Sequence, residues 1–177
     1  MIDDRSEPDF PGLYRQLTLH SATLDVAATR IRLTGLRLEP HELEKPTRIR
    51  VLLMEMNALQ LRTELDFLSV EPGGEDRIRG LADLLRDQRL LVRCLPLGGW
   101  SPDFSVFQLK EGGSCALVGP HWMERPYPQR GPGLASLHTG PSASLAAGRF
   151  RELWAEAHDV GQALEGVFAR RNEWRRG

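Results

Sequence analysis

The side chains best suited to acid–base chemistry are five histidines, and few of them have a partner at useful spacing. His121 follows the Val-Gly end of a predicted strand, and His138 lies in the next predicted strand. A paired His121/His138 site is therefore one interpretation, and an exposed loop histidine at 121 is the favoured one. His20 and Asp25 are five residues apart on a predicted helix, where neighbours fall at three and four. We predict that they form a solvated pair.

The sequence predicts neither a metal nor an organic cofactor. His41 and Glu44 supply two ligands without a third, which makes no metal site. Cys94 and Cys115 lie in predicted strands, where small core residues are commoner than nucleophiles, and two isolated cysteines are typical of a reducing cytosol. The glycine-rich run Gly112–Gly119 is predicted as a hairpin turn, and neither dinucleotide nor P-loop fingerprint occurs.

Composition limits the remaining function classes. The 177 residues are 41% hydrophobic and 27% charged, which suits one domain with a real core. A net charge of −1 argues against a protein whose whole surface binds nucleic acid, so any such binding is expected to be weak, local and sensitive to salt. Of the 23 basic residues, 21 are arginine.

The C-terminal tail is the first candidate for a local phosphate or partner contact. Its candidate residues are Arg170, Arg171, Trp174, Arg175 and Arg176. The favoured interpretation is structural, because cations stabilise the C-terminal end of a helix by opposing its dipole. If phosphate binding occurs and the tail does not account for it, the strand face with Arg30, Arg32, Arg48 and Arg50 is the next candidate.

The hydrophobic pattern predicts an α/β fold with a mixed sheet and helices on both sheet faces. After a flexible acidic leader over 1–12, helices are predicted over 13–28, 39–45, 57–68, 75–88 and 145–172, the last capped by Ser142 or Ser144. Strands are predicted over 30–36, 48–56, 90–97, 104–109, 114–119 and 134–140, with the fourth and fifth forming a hairpin, and residues 120–133 form a proline-rich loop. The sequence shows no secretory signal and no apolar run of the roughly 18 to 20 residues that a membrane span needs.

Several segments together are similar to the phospholipase D-like superfamily. They are ATRIRLTGLRLEPHELEKPTRIRVLLME, IRGLADLLRDQRLLVRCLPL, FSVFQLKEGGSCALVGPHWME and SLAAGRFRELWAEA. The resemblance covers residues 13–160 as one repeat, which leaves 161–177 as a C-terminal helix extension with an arginine-rich tail. Because the family builds one active site from two repeats, the resemblance implies a homodimer whose apolar interface is bordered by SCALVG and the loop after it. The apolar stripe of the last helix is expected to be mostly core, with Leu164 and Phe168, which lie beyond residue 160, as candidates for contact with another subunit.

The family's catalytic motif, His-x-Lys-x(4)-Asp, is missing. Phe104 stands at the histidine position, Val106 at the lysine position and Glu111 at the aspartate position. Phenylalanine cannot attack phosphorus, and valine cannot neutralise a phosphate. The resemblance therefore implies a catalytically inactive, cytoplasmic binding, assembly or regulatory module, of the kind used in bacterial DNA-processing or defence systems. The alternative is a phosphodiesterase or nuclease that uses His121, His138 and Glu111, or that is completed by an intact partner subunit.

Overall fold

The computed structural model describes residues 10–29, 47–54, 56, 58–96, 103–119 and 136–174, with no side-chain detail for 170–174. The predicted strand over 30–36, the predicted helix over 39–45 and the proline-rich loop over 120–133 lie outside these residues. His121, Arg175 and Arg176 also lie outside them.

The described residues form five helices and seven strands in the order α1, β1, β2, α2, α3, β3, β4, β5, β6, α4, β7, α5. The helices are α1 Phe10–Leu19, α2 Ala58–Val70, α3 Gly74–Arg86, α4 Pro141–Glu156 and α5 Gly161–Trp174. The strands are β1 Ser21–Ala28, β2 Arg48–Leu53, β3 Leu90–Cys94, β4 Phe104–Leu109, β5 Ser114–Val118, β6 Ser136–Thr139 and β7 His158–Asp159. None of the helices in these ranges is long and apolar enough to cross a membrane.

All seven strands belong to one mixed sheet with the order β6-β5-β4-β1-β2-β3-β7. β1, β2 and β3 run parallel to one another, and the remaining neighbours pair antiparallel. The mixed α/β class is confirmed, as are α2, α3, the hairpin of β4 and β5, and the strands β2, β3 and β6. In β2, the run Val51-Leu52-Leu53 is buried throughout, as expected of a strand that is covered on both faces.

Helices cover both faces of this sheet, which divides the core into two clusters. One cluster joins β1, β2, β3, β4 and β5 to α1, α2, α3 and α5, with Leu24, Val51 and Phe107 on the sheet side. The other lies under α4, where Phe150 and Leu153 pack on the opposite sheet face. Among the described residues α4 is the helix that covers this face, and the side chains of Arg50 and Arg93 on it are partly exposed.

The helix predicted over 13–28 is wrong in its second half. α1 ends at Leu19, His20 lies in an exposed turn, and Ser21–Ala28 form the central strand β1. A central strand is buried on both faces and loses the polar–apolar alternation that marks a strand in sequence. The leucines and alanines of this segment happen to fit a helical spacing as well. The predicted solvated pair of His20 and Asp25 is also wrong, because Asp25 is buried within β1.

The single helix predicted over 145–172 is two helices. α4 ends at Glu156, β7 pairs with the outer edge of β3, and α5 begins at Gly161. The N-cap of α4 is Gly140, with φ of 60°, followed by Pro141 at the start of the helix, so neither Ser142 nor Ser144 caps it. Proline suits this first turn because its missing N–H needs no partner there.

Two groups of residues that were candidates for a subunit interface are instead buried within the fold. Leu164 and Phe168 of α5 are buried in the larger core cluster, so the boundary drawn at residue 160 runs through this packing. β5 pairs with β4 on one side and β6 on the other, and Cys115, Ala116 and Leu117 are buried. The SCALVG segment therefore offers no open apolar edge.

Candidate functional site

A buried ion pair joins the two central parallel strands. The Asp25 carboxylate on β1 accepts hydrogen bonds from Nε and Nη2 of Arg50 on β2, at 2.6 Å to each oxygen. The Asp25 side chain is 3% exposed and that of Arg50 is 25% exposed. The fork of the guanidinium matches both carboxylate oxygens at once, which is the strongest geometry for such a pair. The pair holds the Arg50 guanidinium on the α4 side of the sheet.

Two aromatic rings of α4 cover this pair. Phe150 and Trp154 stack with ring centroids 5.5 Å apart, and the Arg50 guanidinium carbon lies 5.2 Å from the first ring and 5.5 Å from the second. Arg93 on β3 approaches the same indole, 4.8 Å from its centroid, and its Nη1 donates to the Trp154 backbone oxygen at 2.9 Å. Two guanidinium groups therefore share one indole ring through cation–π contacts.

Burial and the arginine act on Asp25 in opposite directions. Burial raises the pKa of Asp25 above its usual range, and the hydrogen bonds and charge of Arg50, with a further contribution from the charge of Arg151, lower that pKa without fully offsetting the burial. The ionised carboxylate is therefore kept by its partner rather than by solvent. Removing that partner leaves a buried charge that the fold cannot solvate.

The two positions that the predicted resemblance aligns with the family's histidine and lysine hold apolar side chains. Phe104 and Val106 on β4 are 4% and 0% exposed, and both belong to the core cluster under α4. They share one sheet face, as residues two apart on a strand must. Phe104 contacts Phe150 edge to face at 6.4 Å, and Val106 is the Cα partner of Asp25. An apolar filling at these positions, predicted from the sequence, is confirmed.

The other candidate residues do not gather around these two. Glu111 is exposed in the turn between β4 and β5, beyond the strand end at Leu109, which itself lies about 10 Å along the strand from Val106. His138 on β6 does share a row with Val106, because Ala116 pairs with both, which places it about 10 Å away across β5. Its Nε2 lies 2.7 Å from Oγ of Ser136. The pairing of His138 with His121 is not tested, since His121 lies outside the described residues.

The arginine-rich tail is described only as backbone. α5 extends to Trp174, so Arg170, Arg171 and Trp174 lie on its last turns, and nothing in the structure tests their role in binding.

Neither metal chemistry nor thiol chemistry has a site among the described residues. No group of three His, Cys, Asp or Glu side chains within them could hold a metal ion. Cys94 and Cys115 are free, and Cys115 is buried in the core as the sequence predicted. Burial raises the pKa of the Cys115 thiol, which disfavours the reactive thiolate.

The sequence interpretation missed the pair of Asp25 and Arg50 and the aromatic rings over it. The signal was present but weak: Asp25 interrupts the otherwise small and apolar run SATLDVAA, and arginines occupy alternate positions of RIRVLL. A single acidic residue in a buried strand needs a cation within reach. Finding that cation required the register of β1 against β2, in which Asp25 faces Arg50.

Comparison with known proteins adds little to this geometry. No protein-family model matches the chain, and no curated protein sequence matches it. Among solved structures the chain is similar to TrmBL2, described as an archaeal chromatin protein with a novel mode of DNA binding, at 11% identity and a TM-score of 0.49. The match covers 86% of this chain and 51% of that one, so the chain spans about half its length. A likeness at this score carries no argument, and the phospholipase D-like resemblance stays a prediction.

The first prediction concerns the buried ion pair. Changing Arg50→Met should lower the free energy of unfolding by about 3–5 kcal/mol near neutral pH, because Asp25 is left charged and unpaired. In this variant the pKa of Asp25 rises further above its unfolded value. The folded state then binds the proton more tightly, so stability should recover as the pH falls through that pKa. Urea unfolding at about pH 7.5 and about pH 5 measures both effects.

The double variant Asp25→Leu with Arg50→Met is the matched control, because it removes both charges. Relative to the parent, its free energy of unfolding should fall by less than that of Arg50→Met, and the size of this fall should be the same at the two pH values. Equal losses for the two variants, or a loss in Arg50→Met that grows toward low pH, would contradict the account of Asp25 given above.

The second prediction concerns the filled positions on β4. Phe104→His together with Val106→Lys should lower the free energy of unfolding by about 3–5 kcal/mol, because a charge enters an apolar cluster without a partner. Phe104→Leu with Val106→Ile keeps the cluster apolar and should cost about 1–2 kcal/mol. Thermal or urea unfolding compares them, and a His/Lys variant as stable as the Leu/Ile variant would mean that an open, wet pocket exists here.

Proposed function

We propose that this chain is a phospholipase D-like domain without catalytic activity, which serves as a binding, assembly or regulatory module. The observation that carries the proposal is the burial of Phe104 and Val106 in an apolar cluster beneath α4. At these positions a phosphodiesterase of the resembled family needs a nucleophile and a phosphate-binding cation. Neither side chain can accept a proton or hold an anion, and both are buried among apolar neighbours.

The proposal places this module in the cytoplasm, in a DNA-processing or defence-type system. Two free cysteines, one of them in the core, suit a reducing compartment. The wider role follows from the family resemblance alone.

The competing function is a phosphodiesterase or nuclease with a non-standard site. One observation favours it: His138 lies within hydrogen-bond distance of Ser136 on the edge strand β6, and a histidine can activate a neighbouring hydroxyl. Within the described ranges, however, no carboxylate orients this histidine, and Glu111 is exposed in the β4–β5 turn. The pair on its own is an incomplete catalytic arrangement.

A turnover assay separates the two functions. The purified chain should hydrolyse neither bis(p-nitrophenyl) phosphate nor plasmid DNA above the buffer rate, with or without a chelator. His138→Ala and His121→Ala are assayed beside it, and cooperative unfolding of each sample shows that the protein is folded. Turnover that either substitution abolishes would overturn the proposal in favour of the competing function.

The proposal includes a homodimer, because the resembled family pairs two repeats and this chain matches one. Light scattering behind a sizing column should give a mass near two chains at micromolar concentration. The expected interface is not formed by β5, whose apolar residues are buried. A mass of one chain would contradict the dimer and remove one support for the family resemblance, while leaving the missing nucleophile unaffected.

A further inference from the structure

Arginines collect on the α4 side of the sheet, next to the buried ion pair. Arg48 and Arg50 alternate with apolar residues on β2 and share the face that Leu52 presents to α4. Arg93 lies on the adjacent strand β3, where it is the Cα partner of Leu52. Arg151 comes from α4 itself, and its charge acts on the Asp25 carboxylate. We call the arginines at positions 48, 50, 93 and 151, with Trp154 between them, the basic face.

Three arginines of the basic face differ from other exposed arginines in having no acidic partner among the described residues. The exposed helical arginines at 79, 86 and 149 are each paired with an acid three residues away, namely Asp76, Asp83 and Glu152. Within the part of the chain that the structure describes, Arg48, Arg93 and Arg151 form no ion pair. An arginine-rich composition alone does not explain why the arginines without an acidic partner lie together on the α4 side of the sheet.

The acids near the basic face are already engaged. Asp25 is buried and its carboxylate is taken by Arg50. Asp159 on β7 lies opposite Arg93 in the sheet, and its Oδ1 accepts a hydrogen bond from the Gly161 N–H at 2.8 Å. Neither carboxylate forms an ion pair with Arg93 or Arg48. Four arginines against these two carboxylates leave the basic face with an excess of positive charge, although the whole chain has a net charge of −1.

The arginine geometry is preorganised. Trp154 stacks on Phe150 and fixes the guanidinium groups of Arg50 and Arg93 against its ring. Nη1 of Arg93 is held by the Trp154 carbonyl. A guanidinium that is ordered before binding loses less side-chain entropy when it meets an anion.

The extent of the face indicates a polymeric anion. Leu52 pairs with Arg93, so Arg48 lies four residues back along β2 and one strand across, about 14 Å away. This span is far wider than one phosphate group. A nucleic-acid strand carries a phosphate for every 3.4 Å or so of duplex axis and can contact several such arginines together.

We propose that the basic face binds the phosphodiester backbone of nucleic acid without reading its sequence. This deepens the proposed binding role and does not depend on the missing nucleophile, since an active phosphodiesterase could carry the same face. The Trp154 ring already contacts Phe150, Arg50 and Arg93, so the contact with nucleic acid is expected to be with phosphates rather than with stacked bases. The affinity should lie in the micromolar range or weaker at physiological salt and should be similar for unrelated sequences.

Fluorescence anisotropy with labelled 20-base-pair duplexes of two unrelated sequences tests this proposal, with the salt varied from about 50 to 200 mM. The triple variant Arg48→Gln, Arg93→Gln, Arg151→Gln should bind at least about tenfold more weakly at low salt. The slope of its log binding constant against log salt concentration should fall in magnitude by about 2–3. The matched control Arg79→Gln, Arg86→Gln, Arg149→Gln removes the same charge and should keep the slope of the parent. Because Arg93 contacts α4, the double variant Arg48→Gln, Arg151→Gln is included, with an expected fall in slope of about 2.

Several outcomes would overturn the proposal. They are absence of binding at the lowest salt, equal losses in the two triple variants, and a parent slope abolished by Gln substitutions at positions 170, 171, 175 and 176 alone. Poly-glutamate of similar length that bound as tightly, with the same sensitivity to the triple variant, would indicate an acidic protein partner instead. Displacement by millimolar mononucleotide at constant ionic strength would indicate a small phosphate ligand. If the turnover assay shows no hydrolysis, any of these results would overturn the nucleic-acid proposal without contradicting the proposal that the domain lacks catalytic activity.

Discussion

The bidentate contact between Asp25 and Arg50 is the constraint on which the α4 side of the molecule depends. It joins the two central parallel strands through side chains as well as through the backbone. Because Asp25 is buried, Arg50 must stay beside it, and an arginine held at that point gives the rings of α4 a cation to cover. One buried carboxylate thus determines where charge and aromatic surface meet on this face.

The same constraint explains why one face of the sheet, the α4 side, has an apolar region next to a basic region. Toward β4 and β5 the α4 side is filled by the apolar side chains of Phe104, Val106 and Ala116. Toward β2 and β3 it carries the arginines. Asp25 lies on β1, the strand between these two regions, and among the described helices α4 packs over both. The apolar cluster on β4 and the arginines on β2, two strands away, can therefore share one sheet face.

The sequence predicts those elements whose patterns are local. The helix α3 has leucines at three- and four-residue spacing, and the hairpin of β4 and β5 has a Gly-Gly turn, so both were found. β1 was not, because burial on both faces removes its alternation, and the break after Glu156 was not, because no proline marks it. The ion pair could not be predicted from the sequence for a different reason. Asp25 and Arg50 are 25 positions apart in the chain and meet only through the register of β1 against β2. Register is a property of the assembled sheet, and the spacing of residues along one segment does not contain it.

The position of β1 in the sheet also has a consequence for how the chain acquires its structure. β1 precedes the other described strands in the chain, yet one of its two neighbours, β4, begins at Phe104. Until then a sheet of β1, β2 and β3 has two open edges, one awaiting β4 and the other awaiting β7, which begins at His158. Open edges with unpaired N–H and C=O groups invite association between chains. The nascent protein is therefore most exposed to aggregation while its central strand is still an edge, and the second edge stays open until β7 at His158–Asp159 has been synthesised.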